Sequence, residues 1–400
     1  MTLANDNRIL TINCGSSSLK IALFVMGKKE TLDLSAHIEQ IGASTGYFQI
    51  KDGEGRIVAD HHFQHHDAAL EKFLKWLQER KIHLDAAGHR VVQGGLHYNQ
   101  PELITPQMET ALAKLEPLDP DHLPLELKAV KTLRRLYPDL PQVACFDTAF
   151  HRPMPRVAKL LPIPRRFDAK GVQRYGFHGL SYTYLMEELT RLGDPAALKG
   201  RVVLAHLGNG ASLAAVRDGK SIDTSMGFTP TAGLVMGTRS GDLDPGLLSF
   251  LARSERMTAA QIDRLVNHES GLLGVSETSS DMRDLLAQEA GDLRAAEAVT
   301  LFCYQAKKWI GSFAAALGGL DTLVFAGGIG ENAPLVRARI CEGMRFLGIE
   351  LDESRNAESA GVISAESGRV AVRVIRTDEE LMIARSVWRI LGHGGVCEED

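Results

Sequence analysis

Three short segments combine glycines with hydroxyl, amide or cationic side chains, each directly after a run of apolar residues. They are residues 13–20 (NCGSSSLK), 206–212 (HLGNGAS) and 326–332 (AGGIGEN). Glycines let the backbone turn tightly with several N–H groups pointing one way, and such groups suit phosphate oxygens when hydroxyls and a lysine lie nearby. Three turns of this kind indicate a nucleotide-binding protein built of two related halves, and they favour phosphoryl transfer.

Two charged side chains are embedded in apolar surroundings. Arg90 lies within the segment 89–95 (HRVVQGG), and Asp147 follows the apolar run 143–145. Arg90 could hold a carboxylate or phosphate in bidentate fashion, or form a structural salt bridge. Asp147 is expected at the carboxyl end of a strand, where ligands of α/β sheets gather. The sequence leaves open whether Asp147 caps a helix, holds a magnesium-bound water or orients the nucleophile.

One histidine and one arginine are further candidates for catalysis. His178 stands between glycines in the segment 175–181 (YGFHGLS), and Arg239 lies in the loop 238–246 (TRSGDLDPG). A single histidine is more often structural, but its glycine neighbours would let a substrate approach. A transferring phosphoryl group spreads charge over three oxygens, which a mobile arginine can stabilise. Arg239 is therefore the strongest single catalytic candidate.

Two more segments leave alternatives open. Residues 279–283 (SSDMR) could begin a helix, or Asp281 and Arg283 could meet ribose and phosphate. Residues 328–333 match the dinucleotide fingerprint G-x-G-x-x-A, with Glu350 about 20 residues further on. An NAD-linked oxidoreductase is thus one alternative, although it leaves the two earlier turns without a purpose. A non-catalytic ATPase module that regulates a partner is another.

Composition limits the class of protein. The chain has 400 residues, 44% of them hydrophobic, and a formal charge of −5 from 45 basic and 50 acidic residues. This length favours two domains, and the mixed charge offers no stripe for nucleic acid or a membrane. Five widely spaced cysteines argue against disulfides or a zinc site. Since no export or membrane-spanning segment is evident, we expect a cytoplasmic protein.

Strands and helices alternate, which predicts an α/β protein. Strands are expected over 8–12, 19–25, 201–205, 212–216, 221–224, 322–325 and 370–375, and helices around 70–77 and over 295–317. Thr105 is expected to cap a helix, and Thr377 with Glu380 has the spacing of a capping box. The histidine pairs at 61–62 and 65–66 look metal-like but are expected on a solvated surface.

These segments resemble the acetokinase, or acetate kinase, family of the actin, sugar kinase and heat-shock ATPase superfamily. The resemblance runs from Ile9 to about Arg385. It rests on the segments TINCGSSSLK, HRVVQGG, FDTAFH, RYGFHGLSY, HLGNGAS, SIDTSMGFTP, GTRSGDLDPG, SGLLG, SSDMRD, GGIGEN and TDEELMIAR.

The resemblance implies a two-lobed, actin-like (ribonuclease H-like) α/β fold with duplicated βββαβαβα-type domains. It places the N-terminal lobe in residues 1–147 plus 382–400. The C-terminal lobe, 148–381, would bind nucleotide and form a homodimer. The implied activity is reversible Mg²⁺-dependent transfer of the ATP γ-phosphoryl group to acetate, giving acetyl phosphate and ADP, with Mn²⁺ as an alternative metal and without nucleic acid or membrane partners.

The resemblance also implies roles for individual residues. Asp147, His178 and Arg239 correspond to catalytic residues, and Asn13 and Glu379 to the residues associated with magnesium. Implied acyl-substrate contacts are Arg90, Val92, Leu118, Phe177 and Pro230. Implied ATP contacts are Lys20, His206, Leu207, Gly208, Asn209, Gly210, Asp281, Met282, Arg283, Gly328, Ile329, Gly330, Glu331 and Asn332.

The chain departs from the family pattern at a few positions. Gln93 stands where a histidine usually precedes the two glycines, and the segment 117–121 reads PLDPD where the family has P-L-H-N-P. Tyr182 replaces a common histidine, and Asp378 a frequent asparagine. The phosphate-binding residues are therefore intact, whereas the choice among acetate, propionate and butyrate is not fixed, because one methylene changes discrimination by only about 1–3 kcal/mol.

Overall fold

The structure is a computed structural model that describes residues 7–15, 17–42, 46–53 and 55–392. The chain divides into two compact units. The first contains the residues up to Ala149 and the segment from Asp378 onward, and the second is Phe150–Thr377. Glu379 is therefore grouped with the first unit, although the sequence-based division placed it in the second lobe.

Strands of the described residues form two sheets, one in each unit. The strands are β1 (Asn7–Cys14), β2 (Leu19–Met26), β3 (Glu30–Glu39), β4 (Tyr47–Asp52), β5 (Gly55–Asp60), β6 (Ala86–Val91), β7 (Glu102–Leu103), β8 (Gln142–Phe146), β9 (Arg201–Leu207), β10 (Ala211–Arg217), β11 (Lys220–Thr224), β12 (Thr322–Ala326) and β13 (Ala371–Val374).

Helices connect and cover these strands. The α-helices are α1 (His66–Glu79), α2 (Pro106–Ala113), α3 (Leu123–Leu136), α4 (Arg156–Lys159), α5 (Arg165–Asp168), α6 (Gly179–Arg191), α7 (Pro245–Ser254), α8 (Ala259–His268), α9 (Gly271–Ser276), α10 (Met282–Gln288), α11 (Leu293–Leu317), α12 (Gly327–Asn332), α13 (Pro334–Cys341), α14 (Glu353–Ala357) and α15 (Glu379–Ile390). Short 3₁₀ helices occupy Glu116–Leu118, Ala149–His151, Pro195–Ala197 and Arg345–Leu347.

The two sheets share one strand order. In the first unit β3, β2 and β1 form an antiparallel meander that continues through β6 and β8 in parallel, with β4, β5 and β7 added at the edges. In the second unit β11, β10 and β9 form the meander, followed in parallel by β12 and β13. The duplication expected from the resemblance is therefore visible in the topology of each unit.

The first sheet is covered by helices on both faces. Leu10, Ile12 and Ala87 pack in a cluster with α1 and α3. Because side chains alternate along a strand, Gly88 faces the opposite side, where it meets Ile383 of α15. Parallel strands buried on both faces are expected to be apolar throughout, as β6 and β8 largely are.

The predicted elements are confirmed with small shifts at their ends. Each strand and both helices named from the sequence are present, and Thr105 caps α2 by accepting a hydrogen bond from the Met108 N–H at 3.2 Å. The capping box at Thr377 is wrong. Asp378 is the N-cap of α15, where its carboxylate accepts from the Leu381 N–H at 2.8 Å, so the helix begins one residue later than the predicted box requires.

The histidine pairs before α1 are only in part a solvated surface. His62 and His65 are exposed, but His66 is buried and its Nε2 lies 2.9 Å from the Gly15 carbonyl. Burial lowers the pKa of His66, which favours a neutral ring that donates to this carbonyl.

Among the described residues, no helix has the length and apolar character that crossing a membrane requires.

Candidate functional site

Polar side chains of the first unit meet at the carboxyl ends of β1, β6 and β8. Asn13 comes from the end of β1, Arg90 from β6, and Asp147 from the residue after β8. Glu379 is the first residue of α15. The parallel pairing of β1 with β6 and of β6 with β8 brings these three ends together.

Arg90 is the centre of this cluster. Its Nε lies 3.1 Å from both Asp147 carboxylate oxygens and its Nη2 lies 2.5 Å from Oδ2. Its Nη1 donates to the Asn13 amide oxygen at 3.3 Å, and the Asn13 amide nitrogen donates to Glu379 at 3.2 Å. A chain of hydrogen bonds thus joins four of the residues that the sequence singled out.

The electrostatics of Arg90 favour its cationic form. Burial alone would lower the pKa of the guanidinium, but the carboxylates of Asp147 and Glu379 raise it above its ordinary value. Asp147 is fully buried, whereas the Arg90 side chain retains 14% exposure. Each of these two buried charges needs the other as its partner to stay ionised. The exposed fraction of the Arg90 side chain leaves room for a further anion.

The first glycine turn keeps a compact form. The Gly15 N–H donates to the Ser18 carbonyl at 2.9 Å, and Lys20 pairs with Asn13 across β1 and β2 with its side chain exposed. Ser16 lies outside the described residues. The cationic group of Lys20 is therefore on the same hairpin as Asn13 and accessible to a phosphate.

The implied acyl-substrate residues are divided between the two units. Val92 and Leu118 belong to the first unit, where Val92 is buried and Leu118 is half-buried at the end of a 3₁₀ helix. Phe177 and Pro230 belong to the second unit, where Phe177 is buried and Pro230 is half-buried. Each unit thus contributes one buried and one half-buried apolar residue to this set.

In the second unit His178 sits at the start of α6 with a strained backbone. Its φ of 59° lies in the left-handed region, which a residue with a Cβ adopts at a cost. Its Nδ1 lies 2.8 Å from the Ser212 hydroxyl, and its ring stacks on His206 with centroids 4.4 Å apart. Strain kept at a polar position is typical of functional sites.

Arg239 approaches the same place. A Cβ on Gly210 would lie 3.4 Å from His178 Nε2 and 3.6 Å from Arg239 Nη1. The guanidinium also donates to the Pro230 carbonyl at 3.3 Å. The histidine, the arginine and the second glycine turn, which the sequence identified separately, are therefore neighbours.

The other residues of the second and third glycine turns contact one another or nearby backbone. The Gly237 N–H donates to the Asn209 carbonyl at 2.9 Å, and a Cβ on Gly208 would lie 3.9 Å from the Gly328 nitrogen. Glu331 accepts from the backbone N–H groups of Gly327 and Thr377 at 2.9 and 3.1 Å. The second and third glycine turns are thus adjacent, as a shared phosphate ligand would need.

The other residues of the third turn differ in exposure. Ile329 is half-buried and Gly330 buried, whereas Asn332 is exposed.

Residues 281–283 begin a helix, which is the first of the two alternatives that the sequence left open. Asp281 is the N-cap of α10 and accepts from the Arg283 N–H at 2.8 Å, and the Arg283 guanidinium pairs with the same carboxylate at 2.6 Å. Met282 is buried. A nucleotide could still reach Arg283, since its side chain is 90% exposed.

Several polar residues of the site escaped the sequence analysis. Glu126 is buried and accepts from the Val92 N–H through both oxygens, at 3.2 and 3.1 Å, and burial raises its pKa well above the ordinary value. Arg337 is fully buried and donates to the carbonyls of Gly330 and Glu331. Ser212 lies opposite His206 in the β9–β10 pair. Only Ser212, within HLGNGAS, belonged to a segment that the sequence had marked.

The chain is similar to known proteins over nearly its whole length. A sequence profile of the acetokinase family matches residues 8–385. The acetate kinase of Rhodopseudomonas palustris is 45% identical over 395 residues, which cover 96% of this chain and 99% of that protein. The propionate kinase of Citrobacter rodentium is 44% identical over 393 residues, which cover 96% and 97%.

Solved structures agree. The crystal structure of Porphyromonas gingivalis acetate kinase matches with a TM-score of 0.87 and 40% identity, covering 96% of this chain and all of that one. The predicted α/β fold of the actin-like ATPase type is confirmed. The family match also leaves no basis for the oxidoreductase alternative. The chain belongs to the acetokinase family.

Proposed function

We propose that this chain transfers the γ-phosphoryl group of ATP to acetate, forming acetyl phosphate and ADP, and catalyses the reverse reaction. The observation that carries the proposal is the hydrogen-bonded cluster of Asn13, Arg90, Asp147 and Glu379 in a chain of the acetokinase family. This cluster offers a cation for a small carboxylate and oxygen ligands for a metal.

Arg90 would bind the carboxylate of the acyl substrate. Its guanidinium is already oriented by Asp147 and Asn13, so a planar carboxylate would meet a fixed set of donors. Val92, Leu118, Phe177 and Pro230 would contact the acyl chain. Because a carboxylate is ionised near neutral pH, it needs no strong general base, and Asp147 would serve to align Arg90 and the reacting group.

His178 and Arg239 would stabilise the charge of the transferring phosphoryl group. Both approach Gly210, which has no side chain to separate them. An arginine and a hydrogen-bond donor aimed at the equatorial oxygens are the expected means of catalysis, because phosphoryl transfer depends on positioning and charge stabilisation.

The nucleotide would be held by the glycine turns of the second unit, and Lys20 of the first unit is assigned as a phosphate contact. We assign this role to the segments 206–210, 281–283 and 328–332. The adjacency of the turns at Gly208 and Gly328 and the exposed members Asn209, Arg283 and Gly328 support the assignment. Glu331 would act indirectly, since its carboxylate fixes the Gly327 and Thr377 backbone.

Asn13 and Glu379 fit a magnesium ion that travels with the nucleotide. Among the described residues no three His, Cys, Asp or Glu side chains form a closed metal cage. Mg²⁺, or Mn²⁺ in its place, is often bound by one or two protein oxygens with phosphates and waters completing the shell. Asn13 and Glu379 would hold the metal, which would supply positive charge to offset that of the phosphates.

Acetate and propionate are both candidate substrates. The acetate kinase of Rhodopseudomonas palustris and the propionate kinase of Citrobacter rodentium are almost equally similar to this chain. An apolar pocket distinguishes one methylene by only about 1–3 kcal/mol. We therefore expect activity with both acids.

The test is ADP formation from magnesium-ATP with acetate, propionate or butyrate. Arg239→Ala should lower kcat by about 10³-fold, because the transition-state cation is lost. Asp147→Asn should also lower it. Arg345→Ala is the matched control, since Arg345 is 81% exposed and pairs only with Glu350 among the described residues. If the wild-type protein turns over none of the acids, or if Arg239→Ala and Asp147→Asn match it, the proposal is wrong.

We further propose that the chain works as a cytoplasmic homodimer joined through its second unit. Helix α7 supports this, because Leu247 and Phe250 on it are 39% and 52% exposed. Large apolar side chains at one exposed helix are typical of an interface.

A further inference from the structure

Tyr182 places a buried hydroxyl beside the histidine site. It lies on α6, is fully buried, and packs its ring in the apolar cluster of the second unit. Its hydroxyl is hydrogen bonded to the Ser212 hydroxyl, which lies 2.8 Å from His178 Nδ1. Tyrosine, serine and histidine thus form a chain of two hydrogen bonds.

The direction of this chain follows from the number of donors. If the tyrosine donates to the serine and the serine donates to Nδ1, every proton has an acceptor. If Nδ1–H donates instead, the serine oxygen accepts that proton, and the serine and tyrosine hydroxyls share a single remaining hydrogen bond in which only one of them can donate. One of the two hydroxyl protons then lacks an acceptor among the described residues, because Ser212 is the hydrogen-bond partner of Tyr182 there. A buried donor without a partner is unfavourable.

The tyrosine also keeps its proton. Burial raises the pKa of Tyr182 above its ordinary value, so the hydroxyl remains a donor throughout the physiological range. The serine is fixed as well, since it lies buried in β10 opposite His206. Nδ1 of His178 is therefore an acceptor, and the ring proton resides on Nε2.

Nε2 is the nitrogen that faces the catalytic candidates. It lies 3.4 Å from the position of a Cβ on Gly210, and Arg239 Nη1 lies 3.6 Å from that position. A neutral donor is suited to this place, because a second cation beside the guanidinium would be repelled. His206 stacks on the same ring, and its Nδ1 has a parallel chain through the Ser181 and Thr377 hydroxyls at 2.8 Å each.

We propose that Tyr182, acting through Ser212, is a positioning residue that holds His178 as the neutral Nε2–H tautomer, ready to donate to a phosphoryl oxygen. The inference rests on the proposed phosphoryl transfer for its purpose, but the tautomer itself is independent of activity.

The first test is nitrogen NMR of the full chain labelled with ¹⁵N-histidine, using His178→Gln to assign the resonances. Nδ1 of His178 should appear as an unprotonated, pyridine-type nitrogen and Nε2 as a protonated, pyrrole-type one. Tyr182→Phe should shift both toward the values of a tautomer mixture. A protonated Nδ1 in the wild-type protein overturns the proposal, whatever the activity.

The second test is a double-mutant cycle in kinetics. Tyr182→Phe and Ser212→Ala should each lower kcat about 10- to 100-fold while both KM values stay within about twofold, because only donation in the transition state is impaired. The double variant should match Ser212→Ala, since the tyrosine acts only through the serine. Additive losses, or an unchanged kcat in Tyr182→Phe, overturn the proposal.

Tyr175→Phe is the matched control. Tyr175 is also buried, and its hydroxyl donates to the Gly171 carbonyl at 2.7 Å, away from Ser212. It should keep the wild-type kcat, and an equal loss there would attribute the effect to any buried tyrosine hydroxyl. A wild-type protein without acid-dependent turnover would refute the proposed function, whereas the NMR result would still decide the tautomer.

Discussion

At the level of single residues, the polar cluster of the first unit is held together by the hydrogen-bond donors of one guanidinium. Arg90 uses Nε and Nη2 for Asp147 and Nη1 for Asn13. A lysine has no planar fork and cannot make this set of contacts, although it carries the same charge. The geometry of the arginine, rather than its charge alone, should therefore control how the acyl substrate binds.

Arg90→Lys is expected to raise the KM for acetate about 10- to 100-fold, the cost of losing a bidentate contact. The KM for ATP should change by no more than about threefold. Steady-state kinetics with each substrate varied in turn would measure both. Arg8→Lys, whose partner Asp33 is 3.9 Å away at the surface, is the control. An unchanged KM for acetate would place the carboxylate elsewhere.

A buried histidine predicts how stability depends on pH. His151 lies against the Ser221 hydroxyl and the Phe177 carbonyl at 2.9 and 3.0 Å, and burial lowers its pKa to about 4. The unfolded chain, with an ordinary histidine pKa of about 6.5, then binds the proton more readily. The contribution of this neutral ring is therefore present above about pH 6.5 and is lost as the pH falls toward 4.

His151→Gln should flatten this dependence by as much as about 1.4 kcal/mol per pH unit between pH 6.5 and 4. Urea unfolding at several pH values would give the slope. His62→Gln, at an exposed position, should keep the wild-type slope. Identical slopes for His151→Gln and the wild-type protein would mean that His151 does not titrate differently on folding.

At the scale of the element, α15 packs closely on the first sheet because β6 carries a glycine. A Cβ on Gly88 would lie 2.4 Å from Ile383 Cγ2 and 2.7 Å from Val387 Cγ2. Both neighbours are β-branched and cannot easily rotate away. The same helix supplies Glu379 to the polar cluster, so its distance from the sheet also sets the position of that carboxylate.

Gly88→Ala should lower the free energy of unfolding by about 1–3 kcal/mol, as expected for overpacking. Gly311→Ala is the matched control. It lies within α11 with no atom near its Cβ position, and should stabilise the protein by about 0.5–1 kcal/mol. Chemical denaturation of the three proteins tests both signs. If Gly88→Ala were neutral, α15 would have room to move.

Elements were easier to predict from the sequence than the contacts between them. Strands and helices followed from periodicity, and glycine turns marked Gly210 and Gly328 because local residues decide a turn. Ser212 and Tyr182 are 30 residues apart, and their contact depends on α6 packing over the β9–β10 pair. Glu126 had no local signal either, because its partner Val92 belongs to a different element.

For the assembly as a whole, we predict a homodimer. Light scattering should give twice the chain mass of 43.6 kDa. Phe250→Glu should shift the protein toward the monomer, because a charge would be buried at the proposed interface. Phe346→Glu is the control, since Phe346 is 75% exposed on a different segment. A monomeric wild-type protein, or a dimer unaffected by Phe250→Glu, would contradict the assignment of α7.

The place of α15 in the first unit has a consequence for synthesis on the ribosome. About 290 residues separate β6 from the helix that covers it, which at ~5–20 residues per second takes roughly 15–60 s to translate. During that interval the Gly88 face of the nascent sheet lacks Ile383 and Val387, which later bury it. We expect the amino-terminal half to reach its native packing only after the second half has emerged, and chaperones to engage it until then.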